Sequence, residues 1–288
     1  MPRLLVTGAS GYLGGALVAQ AASAGWDVLG TYRTRPPDPA ALPSGVRATA
    51  LDVRDAGAVA ALLAREVPDA VIHTAYVQDG DAAHAVNAGG AEHVARAART
   101  AGARLVHVSS DAIFGGAGDR PLREEDRPDP VTAYGATKAA AEPLVAAAHP
   151  GALIARTSLL YGGPGRPPSK HETLALAVAR GEADVAFFSD EIRSPVQVDD
   201  LAAALLELVA TTHAGPLHVG GADALSRLAF ARLIAAAAGE DPARLGAGRP
   251  APPGRPRNCP LDSRRAQALL GTRLRGVREV LHAAPEAG

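Results

Sequence analysis

Leu4-Leu5-Val6-Thr7-Gly8-Ala9-Ser10-Gly11-Tyr12-Leu13-Gly14-Gly15 decides the fold of this chain. A short apolar run meets three glycines at a spacing of three. A stretch of small and apolar residues with helical character follows. A strand that turns sharply into a helix, lets its backbone approach a pyrophosphate and packs the helix close behind needs residues without Cβ at those steps. The N–H groups of the first helical turn then face the phosphates. The spacing is one residue longer at the front than the commonest dinucleotide pattern, but its place between strand and helix is the confirming context. Gly8, Ser10, Gly11, Tyr12, Leu13 and Gly14 are therefore expected to bind a dinucleotide.

Outward from this turn, β-rich runs alternate with Ala-rich helical stretches. Strands are expected at Arg3–Thr7, Asp27–Tyr32, Arg47–Asp52, Ala70–Thr74, Arg104–Ser109 and Ala152–Thr157. Helices are expected near Leu13–Ala24, Ala56–Glu66, Ala82–Ala101 and Thr132–Ala148. Such alternation marks βαβ units, and hence an α/β fold with a doubly wound, Rossmann-type parallel sheet. The rhythm weakens after Tyr161. A loop over Gly162–Pro168, a helix near Lys170–Gly181, a strand at Val185–Phe188, a helix near Asp200–Thr211 and a late strand at Leu217–Val219 follow. Gly246–Arg257, rich in Gly, Pro and Arg, reads as an extended crossing segment. The expected division is a dinucleotide domain over 1–162 with about 194–220, and a smaller C-terminal substrate lobe over 163–193 and 221–288.

The 288 residues suffice for this arrangement, and with 47% hydrophobic but only 3% aromatic residues the core must be built of short, smooth side chains. A net charge of −1 argues against a nucleic-acid footprint. One cysteine, Cys259, excludes an internal disulfide and a multi-cysteine metal site. No His/Asp/Glu cluster has metal spacing, and His73, His107 and His218 read as core residues of strands. The start enters a strand at once, without a basic segment and an apolar stretch, and no run of about 18 apolar residues occurs. A cytoplasmic protein with no membrane or nucleic-acid partner is expected, with a small-molecule substrate and room for a homodimer.

The end of the second strand selects the cofactor. A carboxylate there would hold a ribose 2′-hydroxyl. Thr31-Tyr32-Arg33-Thr34-Arg35 offers two guanidinium groups instead, which suit a 2′-phosphate. NADP(H) is expected in preference to NAD(H), with Arg33 and Arg35 as its discriminating residues.

Tyr134-Gly-Ala-Thr-Lys138 places a phenol and an ammonium one helical turn apart. A free phenol has a pKa near ~10, and a neighbouring ammonium lowers it toward the range useful for acid–base work. The pattern alone is common on helices. It gains meaning from Ser109-Ser110-Asp111 at the C-terminal edge of the preceding strand, the edge where open α/β sheets bind ligands. A serine hydroxyl there suits a substrate carbonyl.

With these motifs the chain resembles the extended short-chain dehydrogenase/reductase family almost end to end. The resemblance is carried by Thr7-Gly8-Ala-Ser-Gly11-Tyr-Leu-Gly14, Ser109-Ser110-Asp111, Tyr134-x-x-x-Lys138 and Arg156-Thr-Ser-Leu-Leu-Tyr161-Gly162. Within it, Val86-Asn87, Pro121-Leu-x-Glu124-x-Asp126, Gly215-Pro-Leu-His-Val219 and Arg255-Pro-Arg-Asn258-x-x-Leu-Asp262 look most like the dTDP-4-dehydrorhamnose reductase branch. The resemblance implies that Ser110 aligns a carbonyl, that Tyr134 is the acid, and that Lys138 tunes it and binds ribose. Asp52 and Val53 would flank the adenine, and Thr74, Ala75 and Tyr76 would line the dinucleotide. Asn87 would brace that region, and Thr157 and Ser158 would approach the nicotinamide. The substrate side would be met by Ser110, Asp111 and Arg193, the last against the diphosphate of a nucleotide sugar.

Departures narrow the reaction. Related dehydratases carry an Asp-Glu pair where this chain has Asp111-Ala112, so the base for water loss is missing. Epimerase-reductases place a cysteine beside the serine, and here that position is Asp111. The expectation is an NADPH-dependent carbonyl reductase of a nucleotide-linked 4-keto sugar. The aromatic residue typical of the branch is replaced by Leu159, which keeps open a reductase for another secondary-metabolite ketone. A third reading is a non-catalytic NADP-binding subunit, as in relatives that regulate methionine adenosyltransferase. Intact Ser110, Tyr134 and Lys138 weigh against it.

Overall fold

The computed structural model describes residues 1–38 and 42–282. Its strands are β1 (Arg3–Thr7), β2 (Asp27–Tyr32), β3 (Arg47–Ala50), β4 (Ala70–His73), β5 (Arg104–Ser110), β6 (Leu153–Thr157), β7 (Leu160–Tyr161), β8 (Ile192–Arg193), β9 (Val196–Gln197), β10 (Gly215–His218) and β11 (Leu225–Ser226). Its α-helices are α1 (Tyr12–Ser23), α2 (Ala56–Glu66), α3 (Gly90–Thr100), α4 (Ala133–Ala148), α5 (Lys170–Ala179), α6 (Val198–Val209), α7 (Arg227–Ala237), α8 (Arg264–Leu269) and α9 (Val277–His282).

Seven strands form a parallel sheet in the order β10-β6-β5-β4-β1-β2-β3. The order reverses at β1, and Thr7 stands in register with Thr31 on one side and His73 on the other. Crevices beyond the carboxyl ends of strands at such a reversal are where α/β sheets hold ligands. All four residues of β4 are buried, as befits a central parallel strand covered on both faces. Leu62 and Leu63 of α2, Val94 and Ala98 of α3 and Val145 of α4 share one core with Leu5, Val71 and Leu105 of the sheet.

The chain divides into two compact units. One comprises Met1–Ser110, Ala133–Arg156 and Ala202–Leu217; the other comprises Asp111–Thr132, Thr157–Leu201 and His218–Gly288. The segments 111–132 and 157–162, assigned to the dinucleotide domain by sequence, cluster with the second unit, because the chain leaves the sheet after β5 and after β6. The second unit has its own core, in which Tyr161, Phe187, Leu228, Phe230, Ile234 and Val280 pack together.

Two local expectations differ from the structure. Val185–Phe188 forms no strand and makes a single bridge, Phe188 to Arg249. Its neighbouring segment contains Pro250, Pro252 and Pro253, which lack the N–H groups a ladder requires. Pro143 lies inside α4, which is helical on both sides of it. The helix expected from Ala82 is interrupted by a π-turn over Ala85–Gly89 before α3 begins. Such turns gather at functional sites.

Helix α2 ends on Val67, whose φ of 45° and ψ of 61° are left-handed. Its N–H closes on the Leu63 carbonyl at 2.9 Å, and Pro68 prevents the helix continuing. A β-branched residue in this region is strained by about 1–2 kcal/mol, while glycine is not, apart from its larger entropy in the unfolded chain. Val67 is exposed, so little packing is lost on truncation. Val67→Gly is expected to raise stability by about 1 kcal/mol in urea unfolding; a fall in stability would show that the left-handed cap carries no strain.

Candidate active site

The glycine turn is built by close contacts. Gly8 has φ 75°, and a Cβ placed on it would lie 3.0 Å from the backbone of Ala75. A Cβ on Gly14 would lie 2.1 Å from the Gly8 carbonyl oxygen. The turn therefore admits no side chain at these positions, and α1 starts directly behind it. Gly11 is the N-cap and contributes no capping side chain, so the first-turn N–H groups are not covered by one. This is the donor set and the space that a pyrophosphate requires. Ser10 is exposed on the turn, while Leu13 is buried in the helix interface.

Arg33 and Arg35 are exposed just beyond β2, and neither forms an ion pair among the described residues. Asp52 is held by Arg54 through Nε at 3.0 Å and Nη2 at 2.5 Å. This pairing, with a smaller contribution from the Arg33 charge, lowers its pKa to about 2. Val53 is buried, and its carbonyl meets the His93 ring at 3.0 Å.

Thr7 and Asn87 organise the end of β4. The Thr7 hydroxyl meets His73 Nδ1 at 2.6 Å and accepts from the N–H groups of Thr74 and Ala75 at 3.2 and 3.3 Å. The Thr74 hydroxyl donates to the Thr7 carbonyl at 2.6 Å. Asn87, on the π-turn, accepts from Val77 N–H and donates to the Val77 carbonyl, both at 2.9 Å. Its amide also donates to the Thr137 hydroxyl at 2.9 Å, which ties the 74–77 loop to α4 one residue before Lys138. Tyr76 reaches Tyr134 with ring centroids 5.8 Å apart.

Ser110 ends β5, against which α4 packs, and Tyr134 lies half-buried in the first turn of that helix. Lys138 is 3% exposed, and its ammonium donates to the Val108 carbonyl at 2.7 Å. Burial lowers its pKa to about 8, opposed by the carboxylate of Glu142 one turn on. Glu142 is itself buried. It accepts from the Ser109 hydroxyl at 2.7 Å and forms an ion pair with Arg156 of β6 at 2.7 Å. Below them His73 and His107 stack at 5.2 Å, and burial, reinforced by the Lys138 charge, keeps both imidazoles neutral at physiological pH.

Four residues of the second unit were expected near the site. Thr157 donates to the Val219 carbonyl at 2.9 Å, and Ser158 donates to Asp111 Oδ2 at 2.5 Å. Arg193 is buried. Its Nε lies 3.5 Å from Asp111, its Nη1 donates to the carbonyls of Ile192 and Arg257, and its Nη2 serves Glu191 and the Pro256 carbonyl. A guanidinium has five N–H donors. All of them are directed at protein acceptors, two carboxylates and three carbonyls.

Thr7, Ser109, Glu142 and Arg156 are site-building residues that the sequence reading did not single out as such. Glu142 was detectable as the residue four places after Lys138, on the same helical face. Arg156 was quoted only as part of a motif. Cys259 is fully buried, its thiol pushed up to about 12 by that burial, with Sγ 3.5 Å from the Phe114 carbonyl. It is no acid–base group for an epimerisation.

Comparison with known proteins agrees with this geometry. The family model described as RmlD substrate binding domain matches residues 2–287. The chain belongs to this family. A dTDP-4-dehydrorhamnose reductase of Mycolicibacterium smegmatis is 35% identical over 99% of this chain and 85% of its own length. A crystal structure of a hypothetical dTDP-4-dehydrorhamnose reductase from Sulfolobus tokodaii superposes with TM-score 0.78 at 28% identity, covering 95% of this chain and 96% of that one. The fold is also that of the Bacillus anthracis dTDP-4-dehydrorhamnose reductase solved in complex with NADP, with TM-score 0.78 at 24% identity and 98% of both chains covered. As a member of the RmlD family the chain is an NAD(P)-dependent oxidoreductase of the extended short-chain dehydrogenase/reductase type. No helix among the described residues is long and apolar enough to cross a membrane.

The depressed Lys138 pKa has a stability consequence. Between about 8 and 10.5 the unfolded chain holds a proton that the folded chain has released. Stability therefore rises with pH across that window. Lys138→Met should flatten the rise, measured as urea unfolding at pH 7.5, 9 and 10.5 against the parent chain. Identical pH profiles would mean that Lys138 titrates normally in the fold.

Proposed function

We propose that this chain reduces the ketone of a nucleotide-linked 4-keto sugar, such as dTDP-4-dehydrorhamnose, with NADPH. The observation that carries the reading is the buried ammonium of Lys138, donating to the Val108 carbonyl and favoured by the Glu142 charge, one turn along from Tyr134 on a helix packed against the strand that ends in Ser110. A nicotinamide dinucleotide fits the cradle of Gly8, Gly11 and Gly14, where any added Cβ would collide or nearly so with the Gly8 carbonyl or the Ala75 backbone. Gly8–Gly14 would hold its pyrophosphate, Arg33 and Arg35 its 2′-phosphate, and Lys138 its nicotinamide ribose. Asp52, Val53, Thr74, Ala75, Tyr76 and Asn87 border the same sheet end or brace it, and Thr157 and Ser158 follow β6. When bound, this group supplies the hydride.

The protein's own residues manage charge and protons. The Ser110 hydroxyl donates to the carbonyl oxygen and orients it. As negative charge develops on that oxygen, the Tyr134 hydroxyl gives up its proton to it. The Lys138 ammonium stabilises the phenolate that remains. Glu142 would otherwise impose a full negative charge beside this machinery, and the Arg156 guanidinium balances it. No carboxylic base follows Asp111, since Ala112 occupies that place, and the one cysteine is buried with its proton tightly held. Reduction without dehydration or epimerisation is the chemistry left to this set of groups.

Tyr134→Phe is expected to retain NADPH affinity and lose at least ~100-fold in kcat, read by stopped-flow NADPH oxidation with the keto-sugar nucleotide. Turnover near the parent value would remove Tyr134 from the mechanism. Arg33→Ala tests the cofactor assignment separately. Calorimetry should show NADPH binding weakened ~10–100-fold, the worth of a charge-assisted hydrogen bond, with NADH binding nearly unchanged. Equal weakening of both would show that Arg33 does not read the 2′-phosphate.

A further inference from the structure

Ser109 stands between two residues of the site. Val108 before it offers the carbonyl that holds Lys138, and Ser110 after it ends β5. The Ser109 hydroxyl is buried and donates to Glu142 Oε1 at 2.7 Å. Glu142 follows Lys138 by one turn of α4, on the same helical face. Two successive residues of β5 are therefore gripped by two side chains of α4, Val108 by an ammonium and Ser109 by a carboxylate.

The carboxylate is held in its turn. Arg156 of β6 donates through Nε to both Glu142 oxygens, at 3.0 and 3.2 Å, and through Nη2 to Oε2 at 2.7 Å. Each of these contacts sets a donor against an acceptor oxygen, which is the pattern of the ionised carboxylate. The fork fixes the orientation of the carboxylate as well as its charge. Arg156 offsets that charge at a distance, but Lys138 one turn away still feels the carboxylate, which opposes the effect of its own burial.

The other elements around Lys138 bring weaker influences. The sheet offers His107 of β5 and His73 of β4, both buried and neutral. The π-turn meets α4 through the uncharged amide of Asn87 on Thr137. On α3, Glu92 is paired with Arg96, the His93 ring meets the Val53 carbonyl, and Arg99 reaches the Ala148 carbonyl at the far end of α4. On α4 itself, Tyr134 stands one turn before Lys138 and Glu142 one turn after.

We propose that Glu142 is a positioning residue for the reduction, which sets the upper pH limit of turnover by acting through Lys138, with Arg156 and Ser109 holding its carboxylate in place. This rests on the reading of Tyr134 as the acid and Lys138 as its partner. Two groups so close release their protons as a coupled pair. A negative charge fixed beside the ammonium delays the first release to higher pH. Once that proton is gone, the alkoxide formed by reduction has no acid to draw on.

The test is the pH profile of kcat for the full chain, with NADPH and dTDP-4-dehydrorhamnose, from about pH 6 to 10. Glu142→Gln keeps an acceptor for Ser109 and removes the charge. Its alkaline limb should move down by about one pH unit, so that the loss of kcat at pH 9 exceeds the loss at pH 6.5 by about tenfold. Glu142→Gln combined with Arg156→Gln leaves no unpaired buried charge and should show the same displacement, which covers a single variant that folds poorly. An alkaline limb at the parent position in both variants overturns the proposal, as does a loss of kcat that is equal at every pH. Urea unfolding reads the same proton without turnover. The rise in stability that starts near pH 8 in the parent should start about one unit lower in Glu142→Gln. A parent chain that reduces no keto-sugar nucleotide, with the unfolding shift present, refutes the substrate reading and upholds the action of Glu142 on Lys138. A parent chain that reduces it, with both profiles unmoved in the variants, refutes this inference alone.

Discussion

The ammonium of Lys138, donating to the Val108 carbonyl at 2.7 Å inside the sheet–helix interface, is the interaction on which the rest of the site depends. Removing such a group from water costs several kcal/mol, and a hydrogen bond alone does not offset it. Glu142 supplies the opposing charge, but it too is buried and would be untenable by itself. Arg156 answers Glu142, and Ser109 satisfies one of its oxygens. The partners come from three elements: Val108 and Ser109 from β5, Glu142 from α4 and Arg156 from β6. The need to neutralise one lysine therefore fixes the helix that carries Tyr134 against two neighbouring strands. Shape complementarity of Ala-rich surfaces would leave that helix freer to slide.

The two units solve different problems with different materials. The first packs Val, Leu, Ala and Gly so closely that backbone reaches backbone, as between Gly14 and Gly8. The second concentrates charge. Arg193 is enclosed by two carboxylates and three carbonyls, and Arg255 lies over the Phe188 ring at 4.8 Å while bonded to Glu191. Guanidinium groups suit this use because their planar donors can be shared among several acceptors and stacked on rings at once.

What could be read from the sequence follows from how local the cause is. β1, β2 and α2 have the bounds expected, since an apolar run, a glycine or an N-cap such as Asp55, which accepts from Ala58 N–H, is written within a few residues. The glycine turn and the Tyr134–Lys138 spacing are equally local. Val185–Phe188 has the composition of a strand, but its partner lies some 60 residues away, where the Arg249 N–H donates to the Phe187 carbonyl at 3.1 Å and the prolines that follow stop the ladder. Arg193 looked available because its acceptors at Pro256 and Arg257 are remote in sequence. Glu142 needed Arg156 and Ser109 to acquire meaning, and neither proximity is visible along the chain.

Asn87 shows how narrow such a constraint becomes. Its amide is read on both sides, oxygen toward the Val77 N–H and nitrogen toward the Val77 carbonyl and the Thr137 hydroxyl. An aspartate would have the same outline but would set a negative oxygen against the Val77 carbonyl, replacing attraction with repulsion. An Asn87→Asp change would thus loosen the hold on the 74–77 loop without altering the outline of the side chain. The tie between that loop and α4 is written in the two ends of a single amide.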